Sequence, residues 1–526
     1  MNNKNPGERE VPESTFVEYC LSALARRGRE VAFTHGDRDM TGDAAVELAQ
    51  AMSRVLADGG LSRGAGIAVL SGNLPEAFLV MVGAQMLGAR HTGLPPLGSE
   101  SDHRFILEDS EAHTFVYDPR TFGDRARELA TTPGLRKVYS LGPGPVGEDL
   151  IALASEVERD TAGTASVTTV ATADDYSSIF YTGGTTGRPK GVIHTHRAAL
   201  CQALLVQANW QWPNDIVLMI AAPITHAAGQ LLAPTLALGG RVVLVDKFDA
   251  AEALRIIESE KVSVTFLVPT MIYALLDHPD IDRRNLSSLA TLVYGAAPMS
   301  IPRLVQTHKR FGDVLLQGYG QTEIGVGATL LLKQDHREDR PDLLTSAGRP
   351  PAGITARILD DNGRDVPIGT AGELCLRGTS VMSGYWKQPD VTAATLKDGW
   401  LHTGDIAVQD ADGYFFIVDR KKDMIVSGGF NVYPKEIEDV LHTHPAVEYA
   451  AVVGIPDDKW GEAVHALVKL KAGTDVDVTE LKALVREQKG AIHTPKGIHF
   501  TDDFPLTAIG KIDKKMIKLR LSNASA

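Results

Sequence analysis

The chain has 526 residues, 44% of them hydrophobic and 23% charged, with a formal net charge of −13. That length is too great for one hydrophobic core, so two to four domains are expected, and the acidic balance argues against a general nucleic-acid or membrane-surface binder. Three cysteines, Cys20, Cys201 and Cys375, stand far apart without metal-ligand spacing and indicate neither a disulfide framework nor a zinc site.

The N-terminal stretch MNNKNPGEREVPES is polar and has no apolar core of the secretory type, and residues 1–13 read as loosely ordered. No apolar run approaches the roughly 18 residues of a membrane span, so a soluble, cytoplasmic chain is expected. From Thr41 an amphipathic helix places Ala45, Leu48, Met52, Val55 and Leu56 on one face and stops at Gly59-Gly60. Residues 66–70 read as a buried strand, Pro75 opens a helix running through Leu87, and 91–96 lead away from it. The stretch 141–175, rich in Gly, Pro, Ala and Thr, reads as a connection between subdomains.

That connection delivers the chain to YTGGTTGRPKG, residues 181–191, behind a short apolar run. A strand entering a Gly/Thr loop can wrap backbone N–H groups around an anion, because glycines allow close main-chain approach. Thr182, Thr185 and Thr186 add hydroxyl donors and Lys190 a positive point charge, with Gly183 and Gly184 between them. The loop is not a Walker A element, since Lys190 is followed by glycine rather than Ser or Thr.

Beyond the loop, residues 216–222, 242–245, 262–268, 289–294 and 314–317 are apolar runs of strand length, separated by helical stretches at 250–260, 270–276 and 301–311. Continuous apolar strands suit a parallel sheet covered on both faces, and ligands collect beyond the carboxyl ends of such strands. That rule points to Gly295-Ala296-Ala297-Pro298 and to Gly318-Tyr319-Gly320-Gln321-Thr322-Glu323. From about Ala347, turn signals such as Asp361-Asn362-Gly363 and Asp412-Gly413 separate hairpin-like runs and indicate a small antiparallel, barrel-like unit. After Arg420-Lys421-Lys422-Asp423 about a hundred residues mix helices (434–441, 479–489) with short strands, as in a small α+β domain. The expected fold is therefore α/β. A large N-terminal domain of parallel α/β subdomains plus a small barrel-like subdomain covers residues 1–420, and a small mobile α+β domain covers 421–526.

Five motifs occur in order: YTGGTTGRPKG, GYGQTE at 318–323, LHTGD at 401–405, DRKKD at 419–423 and PLTAIGKID at 505–513. Together they resemble the adenylate-forming acyl-CoA synthetase superfamily, which also holds aryl-CoA ligases, peptide-synthetase adenylation domains and beetle luciferases. The resemblance runs from about Thr41 to Lys515. It implies a two-step reaction in which a small-molecule carboxylic acid attacks the α-phosphorus of ATP, releasing pyrophosphate, and a thiol then displaces AMP from the acyl-adenylate. ATP, Mg²⁺ and CoA are the implied cofactors, acting on a monomer or homodimer that engages no nucleic acid. Transfer to a carrier protein or another nucleophile, or activation of an unusual oxyanion, stands as the alternative. A non-catalytic nucleotide binder is disfavoured by Lys511, Glu323 and Asp405, which it would not need.

The resemblance also implies roles. Thr182, Gly183, Gly184, Thr185, Thr186 and Lys190 would hold the departing phosphates, Thr322 the α-phosphate and Glu323 the magnesium ion. Tyr319 would stack on adenine, with Gly295, Ala296, Ala297 and Pro298 at the adenine edge and Gln317, Gly318, Gly320 and Gln321 completing the nucleotide site. Asp405 would accept from both ribose hydroxyls with Arg420 beside it, and Lys511 would be the catalytic lysine bridging the acid and the α-phosphate. A hinge at Lys422 would swing Lys511 out and bring in Gly428 and Gly429, which leave room for a pantetheine arm. His226 would lie near the acyl carbonyl. The small runs Ala227-Ala228-Gly229 and Gly325-Val326-Gly327 imply a pocket able to admit an aryl or medium-length acyl group, with Trp210 and Trp212 better explained as a structural pair than as its cap.

Overall fold

The computed structural model describes residues 14–525, apart from 162–168, 183–188, 298, 338, 421–422, 428–429, 458–459 and 507–511. Two eight-stranded sheets form its framework. The first runs, from edge to edge, Gly325–Leu331, Leu315–Gln321, Thr291–Gly295, Val264–Leu267, Val217–Ile220, Arg241–Leu244, Val31–His35 and Arg38–Thr41. The second runs Gly384–Tyr385, Lys190–Thr195, Tyr176–Thr182, Arg90–Gly93, Gly66–Leu70, Ala112–Tyr117, Lys137–Ser140 and Glu148–Asp149. Most neighbours pair in parallel, with antiparallel hairpins at both edges of the first sheet and antiparallel pairing of Gly384–Tyr385, Lys190–Thr195 and Tyr176–Thr182 at one side of the second.

Alternation along the strands explains the layering, because successive side chains point to opposite faces. Ile67 and Val69 enter the largest core cluster with Leu218, Ile220, Val242 and Val293 of the other sheet. Helices Phe16–Arg27, Gly42–Asp58, Pro75–Met86 and Leu232–Ala237 fill the space between the sheets. Ala68 and Leu70 face outward onto Ile106, Leu107, Ala126 and Leu129. Met219, Val243, Leu267 and Leu292 face outward onto Leu254, Ile257, Ile272 and Leu304. The order is helix, sheet, helix, sheet, helix. The helix Pro75–Met86 lies in the middle layer and is buried on almost every side, as its apolar sequence requires.

A five-stranded antiparallel sheet of Thr355–Leu359, Gly372–Arg377, Leu396–Lys397, Trp400–Gln409 and Phe415–Arg420 packs beside these layers on a core that includes Val192, Ile324 and Tyr385. The C-terminal part has its own five-stranded sheet, with Ile437, Leu441, Leu481 and Val485 on one face and Ile517 and Leu521 on the other.

Three features depart from expectation. The stretch 141–175 holds the strand Glu148–Asp149 and a helix, Leu150–Thr161. Leu150 and Ala154, one turn apart, enter the central core, and that packing outweighs the local loop composition. The helix Phe16–Arg27 and the hairpin after it carry the start of the fold. The helix opens on a capping box in which the Thr15 hydroxyl accepts from Glu18 N and the Glu18 carboxylate accepts from Thr15 N. Finally, Gly318–Gln321 do not follow a strand but form its second half, and only Thr322–Ile324 turn into the next strand. Gly318, which would weaken an isolated strand, is held here by pairing on both sides.

Candidate active site

The site forms where the first sheet ends. Strands Thr291–Gly295 and Leu315–Gln321 run parallel with Gly295 opposite Gly318. A Cβ on Gly295 would lie 2.3 Å from Gly318 O, so strand contact alone demands glycine there. Ala296, next along, has φ +64, a left-handed conformation unfavourable for alanine. Residues held in such strain gather at binding sites. Ala297 follows it on the exit from the strand, and Pro298 lies outside the described residues. Gln317 Oε1 accepts from the Tyr294 hydroxyl at 3.4 Å, and that hydroxyl also contacts His336 Nε2 at 3.0 Å. Burial lowers His336 to about 4 and leaves its ring neutral.

The hairpin joining Leu315–Gln321 to Gly325–Leu331 is bulged, with Tyr319 opposite Thr329 but Gln321 opposite Gly325. A Cβ on Gly320 would come within 2.1 Å of Gly325 O. Two carbonyls of the turn are pinned from outside. Thr322 O accepts from His194 Nε2 at 2.7 Å, and Glu323 O accepts from Met382 N at 2.8 Å. Burial lowers His194 to about 4, which keeps it a neutral donor.

Asp405 is the hub of the next layer. Its Oδ2 accepts from the Tyr319 hydroxyl at 2.5 Å and from Gln321 Nε2 at 2.7 Å, and its Oδ1 lies 3.1 Å from Arg420 Nε. Burial and the neighbouring Asp405 push the Tyr319 phenol well above its usual range, so it donates. Asp405 is 4% exposed and Arg420 49%, so the carboxylate is sunk and the guanidinium stands at the rim. Asp405 follows a second bulge: Glu373 faces Ile406 but Cys375 faces His402, so Thr403 and Gly404 are extra. Those residues are tied down by Thr403 Oγ1 to Leu374 O at 2.6 Å and Gly404 N to Glu373 Oε1 at 3.1 Å.

Glu323 projects from the turn, and its Oε1 accepts from the Tyr385 hydroxyl at 2.7 Å. Among the described residues its Oε2 makes no hydrogen bond, so one carboxylate oxygen is available to a hard cation. Lys190 starts the strand Lys190–Thr195 opposite Thr182, and its Nζ lies 4.9 Å from the centroid of the Tyr385 ring. The strand leaving the Gly/Thr loop therefore reaches, through Lys190, the same tyrosine that holds Glu323. Gly183, Gly184, Thr185 and Thr186 lie outside the described residues.

His226 stands beside a short helical turn, Ala227–Leu231, with its Nδ1 2.8 Å from Thr225 Oγ1. The turn before it is held by Asn73, whose Oδ1 accepts from Ile224 N at 2.9 Å and whose Nδ2 donates to Ala222 O and Val245 O. Gly229 has no alternative, since a Cβ would meet Ile224 O at 1.9 Å. Gln230 Oε1 accepts from Val326 N at 3.1 Å and joins this turn to the bulged hairpin. Trp210 stacks on Trp212 at 6.3 Å, and its indole comes within 3.0 Å of the position a Cβ would take on Gly327. Trp210 is buried and Trp212 half-buried against the same core, and Trp210 forms one wall beside the hairpin glycines.

Lys511, Gly428, Gly429 and Lys422 lie outside the described residues. Strands Ile425–Ser427 and Phe430–Val432 pair as the hairpin that brackets the two glycines. Asp419, at the end of the N-terminal part, accepts from Lys435 N of the C-terminal part at 2.9 Å, and Lys514 pairs with Glu438 at 2.8 Å. Sequence reasoning missed His194, Tyr385 and Asn73. His194 follows the Gly/Thr loop by three residues and Tyr385 lies apart from every motif, and their partners Thr322 and Glu323 are distant in the chain. Among the described residues no group of three or more His, Cys, Asp or Glu forms a metal cluster, and no helix is long and apolar enough to cross a membrane.

Comparison with known proteins gives concordant matches. The AMP-binding enzyme family matches residues 21–386, and the AMP-binding enzyme C-terminal domain matches residues 436–511. The chain is 41% identical over 517 residues to a medium/long-chain-fatty-acid–CoA ligase of Mycobacterium tuberculosis, covering 95% of this chain and 89% of that one. It is 37% identical to a feruloyl-CoA synthase of an Amycolatopsis species, covering 93% and 95%. Among solved structures, an amide bond synthetase from Marinactinospora thermotolerans superposes with a TM-score of 0.88 at 32% identity, covering 96% of this chain and all of that one.

Proposed function

The chain belongs to the AMP-binding enzyme family, and on that premise we propose that it is an AMP-forming acid–CoA ligase acting in the cytoplasm. The observation that carries the reading is the Asp405 hub, a buried carboxylate wired to Tyr319, Gln321 and Arg420 at the mouth of the sheet. A ribose offers two adjacent hydroxyl donors, and a carboxylate meets both.

In the first step the acid's carboxylate attacks the α-phosphorus and pyrophosphate leaves. Negative charge builds on the phosphate oxygens, so fixed donors aimed there lower the barrier most. Lys190 supplies one, with Thr182 and the loop residues Gly183 to Thr186 around it. Thr322 donates its hydroxyl to the α-phosphate. Tyr319 presents its ring to adenine while its hydroxyl holds Asp405. Glu323 would hold Mg²⁺, whose chemistry is to neutralise the phosphate charge and polarise the phosphorus–oxygen bonds. His226 stands at the acyl carbonyl, and Trp210, Ala227 and Val326 give an apolar wall suited to an aryl or fatty acyl group. Lys511 bridges the acid and the α-phosphate only as the new bond forms, which makes it a residue of the transition state. In the second step the thiolate of CoA adds to the acyl carbon and AMP departs. Residues 421–526 then turn about Lys422 against residues 1–420, withdrawing Lys511 and bringing Gly428-Gly429 to the pantetheine arm.

A second reading, in which an amine or a carrier-protein thiol takes the acyl group, draws on the likeness to an amide bond synthetase. The higher identities to two relatives that form CoA thioesters favour CoA. The test is acid-dependent ATP–pyrophosphate exchange across fatty, aryl and small acids, followed by AMP release with and without CoA. Exchange is expected with at least one acid class, CoA should accelerate AMP release, and Lys511→Ala should abolish exchange while retaining ATP binding. Full exchange by Lys511→Ala would remove the lysine from the mechanism. Exchange without any response to CoA would transfer the reading to the second acceptor class.

A further inference from the structure

Tyr385 belongs to none of the five motifs, yet two of the chemical groups discussed above meet on it. Its hydroxyl donates to Glu323 Oε1 at 2.7 Å, and its ring lies 4.9 Å beneath Lys190 Nζ. We infer that Tyr385 is a positioning residue that aims the Glu323 carboxylate at the divalent cation of the first step and fixes Lys190 on the same side. The inference rests on the reading of Glu323 as the magnesium ligand.

The tyrosine is unusually constrained for a residue outside a motif. It ends the short strand Gly384–Tyr385, which pairs with Ile193 and Val192 at the edge of the second sheet. Its backbone N donates to Thr392 Oγ1 at 2.8 Å. On one side Gly384 packs so closely that a Cβ would meet Thr392 Cγ2 at 2.7 Å. On the other, Trp386 N donates to Gly191 O and Trp386 Nε1 to Asp109 O, each at 2.7 Å. The ring is 8% exposed and sits in the core beneath the small barrel-like sheet. The hydroxyl is the donor of the pair, with the carboxylate oxygen accepting.

The consequence for Glu323 follows from hydrogen-bond geometry. A carboxylate on a turn has a free terminal torsion, and a cation must select one orientation from many. A fixed donor on Oε1 removes that freedom and leaves Oε2 as the outward oxygen. Groups that orient a metal-binding carboxylate typically matter about 10- to 100-fold in metal affinity. Because the Lys190 strand and the Glu323 turn lie on different sheets, a shared tyrosine also fixes the spacing between a cationic and a metal-holding group.

The test uses α,β-methylene-ATP, which cannot transfer its adenylyl group, titrated calorimetrically into the full-length protein in Mg²⁺ and in EDTA. Tyr385→Phe keeps the ring beneath Lys190 and deletes only the donor. Its melting transition and its affinity in EDTA should match the unsubstituted protein, while the gain in affinity on adding Mg²⁺ should shrink by about 10- to 100-fold. Glu323→Gln should lose the same gain, and Tyr385→Phe combined with Glu323→Gln should lose no more than either alone. A Mg²⁺ gain preserved in Tyr385→Phe overturns the inference and leaves the role of Glu323 intact, as do additive losses in the double variant. A protein whose unsubstituted form gains nothing from Mg²⁺ overturns the reading of Glu323 and the inference with it.

Discussion

Asp405 shows how much one buried side chain can organise. Three donors from two segments, the strand Leu315–Gln321 and Arg420, converge on its two oxygens, and hydrogen bonds to a charged group are each worth about 1.5–3 kcal/mol. Asp405→Asn keeps the volume but removes the charge and turns one acceptor into a donor facing Tyr319, Gln321 or Arg420. We expect the affinity for ATP, measured calorimetrically, to fall about 10- to 100-fold with the fold retained. An unchanged affinity would take Asp405 out of the nucleotide site. This residue was legible because LHTGD is contiguous. Its partners were legible only as members of other motifs, and their junction was not. Tyr319 was assigned a ring and turned out to contribute a hydroxyl as well. His194, Tyr385 and Asn73 were illegible for a common reason. Their partners lie 128, 62 and 151 positions away, a separation no local pattern encodes.

At the scale of elements, the site is built from interruptions of regular structure. Two bulges, one in the hairpin after Leu315–Gln321 and one before Asp405, re-aim side chains that a regular ladder would point elsewhere. The glycines of GYGQTE invite explanation by ligand approach alone, yet strand packing already requires Gly320, whereas a Cβ on Gly318 would meet its nearest atom only at 3.7 Å. Gly320→Ala would drive a Cβ to within 2.1 Å of Gly325 O and force the hairpin open. A displacement of about 1 Å near reacting groups can cost about 100-fold in rate, so we expect pyrophosphate exchange to fall by at least about tenfold while overall melting changes little. Exchange at the original rate would show that the hairpin absorbs the methyl group. The five interior strands from Val217–Ile220 to Leu315–Gln321 were legible from apolar runs, because strands buried on both faces need no polar alternation, whereas Val31–His35, Arg38–Thr41 and Gly325–Leu331 were not. The helix Leu150–Thr161 was not, since its local composition signals a loop and only its contact with the central layer makes it a helix.

For the whole molecule, the layered N-terminal part, the antiparallel sheet beside it and the separate C-terminal sheet were all legible as changes of pattern along the chain. What remained hidden was how the two eight-stranded sheets share one helical layer, because a shared core depends on faces rather than on sequence neighbours. The arrangement gives the chemistry its setting. The first sheet contributes the strand ends proposed to face the nucleotide, the second contributes the loop-flanking strands, and Tyr385 and His194 connect them. The central claim is that the acid itself attacks the α-phosphorus. Supplying an accepted acid with ¹⁸O in its carboxylate, together with ATP, Mg²⁺ and CoA, tests it by mass spectrometry of the products. Attack by the carboxylate oxygen leaves one ¹⁸O in AMP and none in pyrophosphate. Label in inorganic phosphate with ADP as the nucleotide product, or AMP free of label, would contradict it.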